Sequence, residues 1–250
     1  MTLIDTLSLW LMLAVIATMP VFALVSRTRS RDPEVARRTA SALLGFWIRD
    51  WLMWVIGPAE RALVRFRVSP DLFNYLGVAF GLGAGVAFAG RALALAGWAV
   101  LLGGLADIFD GRIARARGLA SRYGAFMDST LDRFAESFAF VGVTWYLSDT
   151  PFGAAVSVLA ISGSLLVSYT RARGEAVGVN GTGGVMQRAE RLVLLAVGAF
   201  ADTAATTRWQ WPEGSVLTAA VSLIAIGSMG TAIYRTVSIA RTLARMDAGD

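Results

Sequence analysis

The chain has 250 residues, of which 56% are hydrophobic and 16% charged, with a mean hydropathy of +0.58; this is too apolar for an ordinary soluble domain and long enough for several membrane spans. It has no cysteine and no histidine, which excludes disulfides, thiolate or imidazole metal ligands and an imidazole general base. All 23 basic residues are arginine, for a net charge of +5, and they are scattered between apolar runs, which argues against nucleic-acid binding.

The first apolar run, Leu7 to Val25, follows Asp5 and precedes Arg27, Arg29 and Arg31. A secretory signal peptide carries its positive charge before the apolar core, so this segment reads as a retained span with its N-terminus outside. Residues 33–67 interleave Phe46, Trp47, Trp51, Trp54 and Val55 with Arg49, Asp50, Glu60, Arg61 and Arg65. That mixture predicts an amphipathic helix lying in the cytoplasmic interface. Six further spans are expected, at about 71–90, 92–115, 123–147, 151–173, 187–200 and 215–234. The predicted fold is all-α: a polytopic membrane helix bundle organised as 1–32 (extra span and basic linker), 33–67 (interfacial helix) and 68–250 (six-span core). Segments 27–67, 112–122, 171–191 and 235–245 hold nearly all the arginine, which puts these ends in the cytoplasm of a bacterial-type inner membrane.

The chemistry lies at the cytoplasmic ends of the second and third core spans. The chain there reads Asp107-Ile-Phe-Asp110-Gly111-Arg112-Ile-Ala114-Arg115, then eight residues, then Gly124-Ala-Phe-Met-Asp128-Ser-Thr-Leu-Asp132. Residues three and four apart share a helix face, so each set lines one stripe. Carboxylates are costly in a membrane and face an interior or a polar cavity. Crowded together they repel, and hard divalent cations, Mg2+ or Mn2+, neutralise them through oxygen ligands. Gly111, Ala114 and Gly124 leave room beside the acids for a flat base or a phosphate to approach the backbone.

The pattern D-x2-D-G-x2-A-R-x8-G-x3-D-x3-D is the signature of the CDP-alcohol phosphotransferases, and this chain, which resembles that family over about residues 45–240, matches every fixed position. The resemblance implies CDP-diacylglycerol as donor and membrane lipids as surroundings. Two divalent ions would sit on Asp107, Asp110, Asp128 and Asp132, with Asp132 also removing the acceptor's proton and CMP leaving. It places Asp107, Gly111, Ala114, Arg115 and Gly124 beside the CMP moiety, with Pro70, Asp71 and Asn74 near the cytidine. It also implies a homodimer, to which the small residues Gly81, Gly83 and Gly85 lend support.

Three helix ends on the same side carry Arg171, Arg188, Arg191 and Arg235, and converging guanidinium groups make a phosphate pocket. This resembles the phosphatidylinositol-phosphate synthase branch of the family, with Arg171 where that branch has Lys. A phosphorylated acceptor is therefore expected, inositol 1-phosphate first and glycerol 3-phosphate second. A divalent-cation transporter is the alternative from another class, since intramembrane carboxylates mark ion pathways. Against it, the acids crowd one edge of the membrane. A non-catalytic lipid-binding scaffold is the third reading.

Overall fold

The computed structural model describes residues 3–30, 32, 35, 45–181 and 183–248. The described residues form eight helices and no strand: α1 (Leu3–Val25), α2 (Phe46–Arg65), α3 (Pro70–Ala89), α4 (Leu93–Ala116), α5 (Arg122–Leu147), α6 (Pro151–Ala176), α7 (Arg188–Trp209) and α8 (Ser215–Ala248). Of the amphipathic helix expected over 33–67, residues 33, 34 and 36–44 lie outside the described residues.

Local chemistry sets the boundaries. Ser121 Oγ accepts a hydrogen bond from the Gly124 amide (3.0 Å) and Thr150 Oγ1 from the Gly153 amide (3.0 Å), which caps α5 and α6. Pro70 and Pro151 open their helices, where a missing N–H costs nothing. Two helices outrun their expected ends. Helix α7 continues past Phe200 to Trp209, because Asp202 turns inward instead of stopping it. The Asp202 carboxylate accepts from the amides of Gly214 (3.0 Å), Val216 (2.9 Å) and Leu217 (3.0 Å), and so caps α8 from a neighbouring helix. Helix α8 continues past Tyr234 to Ala248, with no glycine or proline between Thr231 and Ala248 to interrupt it.

Five helices, α1, α3, α4, α6 and α8, are long and apolar enough to cross a membrane. Helices α5 and α7 are of similar length, 26 and 22 residues, but carry Asp128, Asp132, Arg133 and Glu136, and Arg188, Glu190, Arg191 and Asp202. Glu136, Glu190, Arg191 and Asp202 among these turn into the bundle and are buried there. On the outside of the bundle, the outer face of α5 included, Val86, Val141, Trp145, Ile226 and Ile233 are each more than 60% exposed, the surface expected of a protein solvated by lipid tails. Together with its family membership, described below, this makes the chain an integral membrane protein.

Helix α3 packs on α4 and α5, α4 on α7, and α6 on α8. The α3–α5 contact is backbone on backbone: a Cβ at Gly81, Gly85 or Gly142 would overlap the facing main chain at Ala135, Phe138 or Gly85. Gly81 and Gly85 are thus consumed inside the chain, and only Gly83 of the three expected at a dimer contact meets open space. The core between these helices is filled by Phe88, Phe140, Val143, Leu195, Phe200, Leu217 and Ile224.

The tryptophans of α2 pack on α1: Trp47 and Trp54 lie tilted against Phe22 with ring centroids 5.5 and 5.6 Å away, and Trp51 Nε1 donates to Thr18 Oγ1 (2.9 Å). Helix α1 supplies the apolar wall that they cover.

Candidate active site

The last turns of α4 and the first turns of α5 and α7 meet at the arginine-rich end of the bundle. One carboxylate oxygen from each of Asp107, Asp110 and Asp128 lies within 4.8 Å of the others. Asp110 is 6% exposed. Asp128 Oδ1 is buried and has no hydrogen-bond partner among the described residues. A buried carboxylate oxygen without a donor is costly, and an all-oxygen donor set with one orphaned lone pair fits a hard divalent cation.

Asp132 lies beside this trio, near enough to Asp107 for their carboxylates to interact. Arg188, on the first turn of α7, bridges to it: Nη2 is 2.7 Å from Asp132 Oδ1, and Nη1 is 2.9 Å from Asp107 Oδ1. The guanidinium therefore spans the carboxylate cluster and Asp132, one of the fork-like geometries that arginine favours. One turn deeper, Arg191 answers Glu136, with Nε 2.8 Å from Oε1 and Nη2 3.2 Å from Oε2. Both are nearly excluded from solvent, Arg191 at 2% and Glu136 at 5% exposure. Asp132 and Glu136 on α5 thus face Arg188 and Arg191 on α7 as two rungs of one ladder.

The remaining expected residues are placed as follows. The Arg115 guanidinium lies over Gly111, where a Cβ would come within 2.9 Å of Nη1, so Gly111 gives clearance to Arg115 as well as to a ligand. Ala114 is half-buried beside them, and Gly124 is half-buried in the capped first turn of α5. Pro70, Asp71 and Asn74 form the first turn of α3. That turn is brought to the motif by the Phe73–Phe109 ring contact (5.5 Å) and by Arg117 Nη1 donating to Val68 O (2.8 Å).

The four arginines expected to hold a phosphate are in different situations. Arg188 belongs to the acidic site. All three nitrogens of Arg191 are engaged, Nη1 with Met186 O at 3.4 Å. Arg235, 5% exposed, donates Nε to Gly183 O (2.7 Å) and Nη1 to Val167 O (2.8 Å). Arg171 is exposed and paired with Glu175 one turn on (2.9 Å). Arg171 and Arg191 nevertheless lie close enough to Arg235 for their charges to act on it, so the three gather at one electropositive locus that Glu175 partly offsets.

Sequence reasoning missed Glu136, although Gly124, Asp128, Asp132 and Glu136 recur every fourth residue along one stripe. It also missed Glu190 and the partners of Arg112, for which nothing in the local sequence is diagnostic. A cavity of about 740 Å3 opens at the opposite end of the bundle, lined by Trp10, Arg91, Tyr146, Asp202 and Arg208, and holds none of the motif residues.

Clustered carboxylates beside small residues at one end of a helix bundle can hold a divalent cation together with a phosphate-bearing ligand. The CDP-alcohol phosphatidyltransferase family profile matches residues 67–210. A phosphatidylinositol phosphate synthase of Streptomyces avermitilis is 36% identical over 229 residues, covering 89% of this chain and 91% of that one. A crystal structure of Mycobacterium tuberculosis phosphatidylinositol phosphate synthase with manganese and citrate superposes with a TM-score of 0.64 at 30% identity, covering 73% of this chain and 87% of that one. The same enzyme with CDP-DAG bound superposes with a TM-score of 0.63 at 30% identity, over 73% of this chain and 92% of that one. The chain belongs to the CDP-alcohol phosphatidyltransferase family. It is a transferase of phospholipid synthesis.

Proposed function

We propose that this enzyme transfers the phosphatidyl group of CDP-diacylglycerol to inositol 1-phosphate and releases CMP. The observation that carries the reading is the carboxylate trio of Asp107, Asp110 and Asp128, joined through Arg188 to Asp132. Those three acids would hold one divalent ion, Mg2+ or Mn2+, and Asp132 would share a second; bound there, the ions offset charge on the pyrophosphate and the departing nucleotide.

Asp132 takes the proton of the acceptor hydroxyl, and the acceptor oxygen attacks the lipid-side phosphorus. The bond from that phosphorus to the bridging oxygen breaks, and CMP leaves with the oxygen. Arg188 holds the Asp132 carboxylate toward the cluster through the 2.7 Å contact, which keeps the base oriented. Gly111, Ala114, Arg115 and Gly124 border the CMP moiety, and Pro70, Asp71 and Asn74 its cytidine end. Arg171 and Arg235 bind the acceptor phosphate at the electropositive locus. Arg191 supports them through its charge while remaining bound to Glu136. The excess of arginine at this end supports an active site facing the cytoplasm of a bacterial inner membrane. Family resemblance also supports a homodimer, which a light-scattering mass in detergent would test.

The acceptor is tested by supplying inositol 1-phosphate and glycerol 3-phosphate separately to the purified protein with CDP-diacylglycerol and Mn2+. CMP release with inositol 1-phosphate is expected to exceed that with glycerol 3-phosphate. Arg171→Gln should raise KM for the acceptor about tenfold or more and leave KM for CDP-diacylglycerol within about twofold, as loss of a charge-assisted phosphate contact predicts. A preference for glycerol 3-phosphate would move the enzyme to phosphatidylglycerophosphate synthesis.

A further inference from the structure

Helices α1 and α2 precede residues 67–210, the stretch that the family profile covers, and they are fastened to the active site at two points. The first point is Arg112. It stands two residues beyond Asp110 on α4, and residues two apart on a helix face opposite ways. Its guanidinium reaches α2 and the linker before it: Nε is 2.7 Å from Glu60 Oε2, Nη2 is 3.0 Å from Asp32 Oδ2, and Nη1 is 3.3 Å from Met53 Sδ. Asp32 is tied to α2 in turn, its amide donating to the buried Asp50 carboxylate (3.0 Å). The side chains of Arg112, Asp32 and Glu60 are 14%, 9% and 15% exposed, so the network is largely out of water.

The second point is Glu190. It stands two residues beyond Arg188 on α7, as Arg112 does beyond Asp110. Its side chain is fully buried, and Arg49 of α2 lies 3.6 Å away. No described group hydrogen-bonds either Glu190 oxygen. A buried carboxylate held by one distant ion pair is a poor stabiliser, and such pairs are retained in some proteins because they fix one arrangement over others. Helix α2 is itself backed by α1 through Phe22, Trp47, Trp54 and the Trp51–Thr18 hydrogen bond.

We propose that the α1–α2 unit is a brace that sets the reactive geometry, with Arg112 and Glu190 as the positioning residues through which it holds the metal-binding turn of α4 and the Arg188-bearing turn of α7. Neither residue touches substrate. Each grips the back of a turn whose front carries an active-site side chain. The Asp107–Arg188–Asp132 bridge runs between α4, α7 and α5, so a slide of α4 against α7 of about 1 Å misplaces the base relative to the metal cluster, a displacement that costs rate by about a hundredfold in well-ordered active sites.

The kinetic readout rests on the transferase reading; the binding readout does not. Full-length wild type, Arg112→Gln, Arg112→Lys, Glu190→Gln and Glu60→Gln/Arg112→Gln are compared in lipid nanodiscs for kcat, KM, Mn2+ affinity and Tm. Glu190→Gln is expected to lower kcat about tenfold or more while Tm stays level or rises, because it removes a buried charge that lacks a hydrogen bond. Arg112→Gln is expected to lower kcat similarly and to weaken Mn2+ binding, Arg112→Lys to recover part of the loss, and the double variant to be no slower than Arg112→Gln. Values of kcat within twofold of wild type for both single variants overturn the brace, as do losses that only track a falling Tm. If wild type releases no CMP, the functional reading fails on its own and Mn2+ titration decides. Weaker binding in Arg112→Gln then upholds the brace, and unchanged binding overturns it. If Arg112→Gln does not fold, Glu190→Gln decides by the same two readouts.

Discussion

Asp132 and Glu136 stand one turn apart on α5, and Arg188 and Arg191 answer them from α7, but the two rungs do different work. Arg188 touches the carboxylates that the chemistry uses; Arg191 neutralises a glutamate in the dry interior behind them. The inner rung therefore makes a stability prediction. Glu136→Ala leaves Arg191 buried and unpaired and should cost about 3–5 kcal/mol, whereas replacing both partners with Leu and Met should be close to neutral. Thermal unfolding of the two variants in detergent checks this: equal destabilisation by the single and the double change would mean that the pair is not an isolated unit. At this scale the aspartates were legible in the sequence, because their spacing repeats with the turn of a single helix. The pairing of Glu136 with Arg191, 55 residues away, was not, because it depends on how two helices face each other. Arg191 accordingly looked like a phosphate ligand from its neighbourhood alone.

The elements were legible where apolar runs end in charge, and less so where charge is turned inward. Asp202 looked like the end of a span and is instead the cap of the next helix. The tryptophans of α2 were legible as one face of an amphipathic helix, but their packing on Phe22 of α1 was not. Glycine likewise signals close approach without naming the partner. Gly85 and Gly142 bring α3 and α5 into main-chain contact, while Gly83, one residue pair away on α3, meets nothing within 4 Å. A methyl group at Gly142 should therefore destabilise by about 1–3 kcal/mol through overpacking, with Gly83→Ala near neutral. Melting temperatures of Gly142→Ala and Gly83→Ala test it, and equal tolerance at both sites would contradict the backbone contact. The contact matters for function because α5 carries Asp128 and Asp132, and α3 carries the turn that Phe73 docks against Phe109.

At the scale of the molecule, the apolar helices α1, α3, α4, α6 and α8 present lipid-facing surface, while α5 and α7 turn their charged stripes inward. Charge is concentrated where these two begin, at the arginine-rich end, and that is where the acids of α4 meet them. Fold class and family could both be read in the sequence, the first from hydropathy and the second from eight residues at fixed spacing. The role of α1 could not, since it appears only once α2 is seen to bridge α1, α4 and α7. The transporter alternative also weakens at this scale. The carboxylates gather at one end of the bundle and at the opposite end the buried acid, Asp202, is spent on capping α8.

The central claim is that Asp107, Asp110, Asp128 and Asp132 form a metal-dependent phosphatidyl-transfer site. The most direct measurement is CMP release from CDP-diacylglycerol by the full-length protein, with inositol 1-phosphate as acceptor, in the presence of Mn2+, after chelation, and in Asp132→Asn. We predict release with Mn2+, its loss on chelation and recovery on adding the metal back, and a fall of about a hundredfold or more in Asp132→Asn with Tm retained. Release that survives chelation, or that Asp132→Asn leaves intact, would contradict the account.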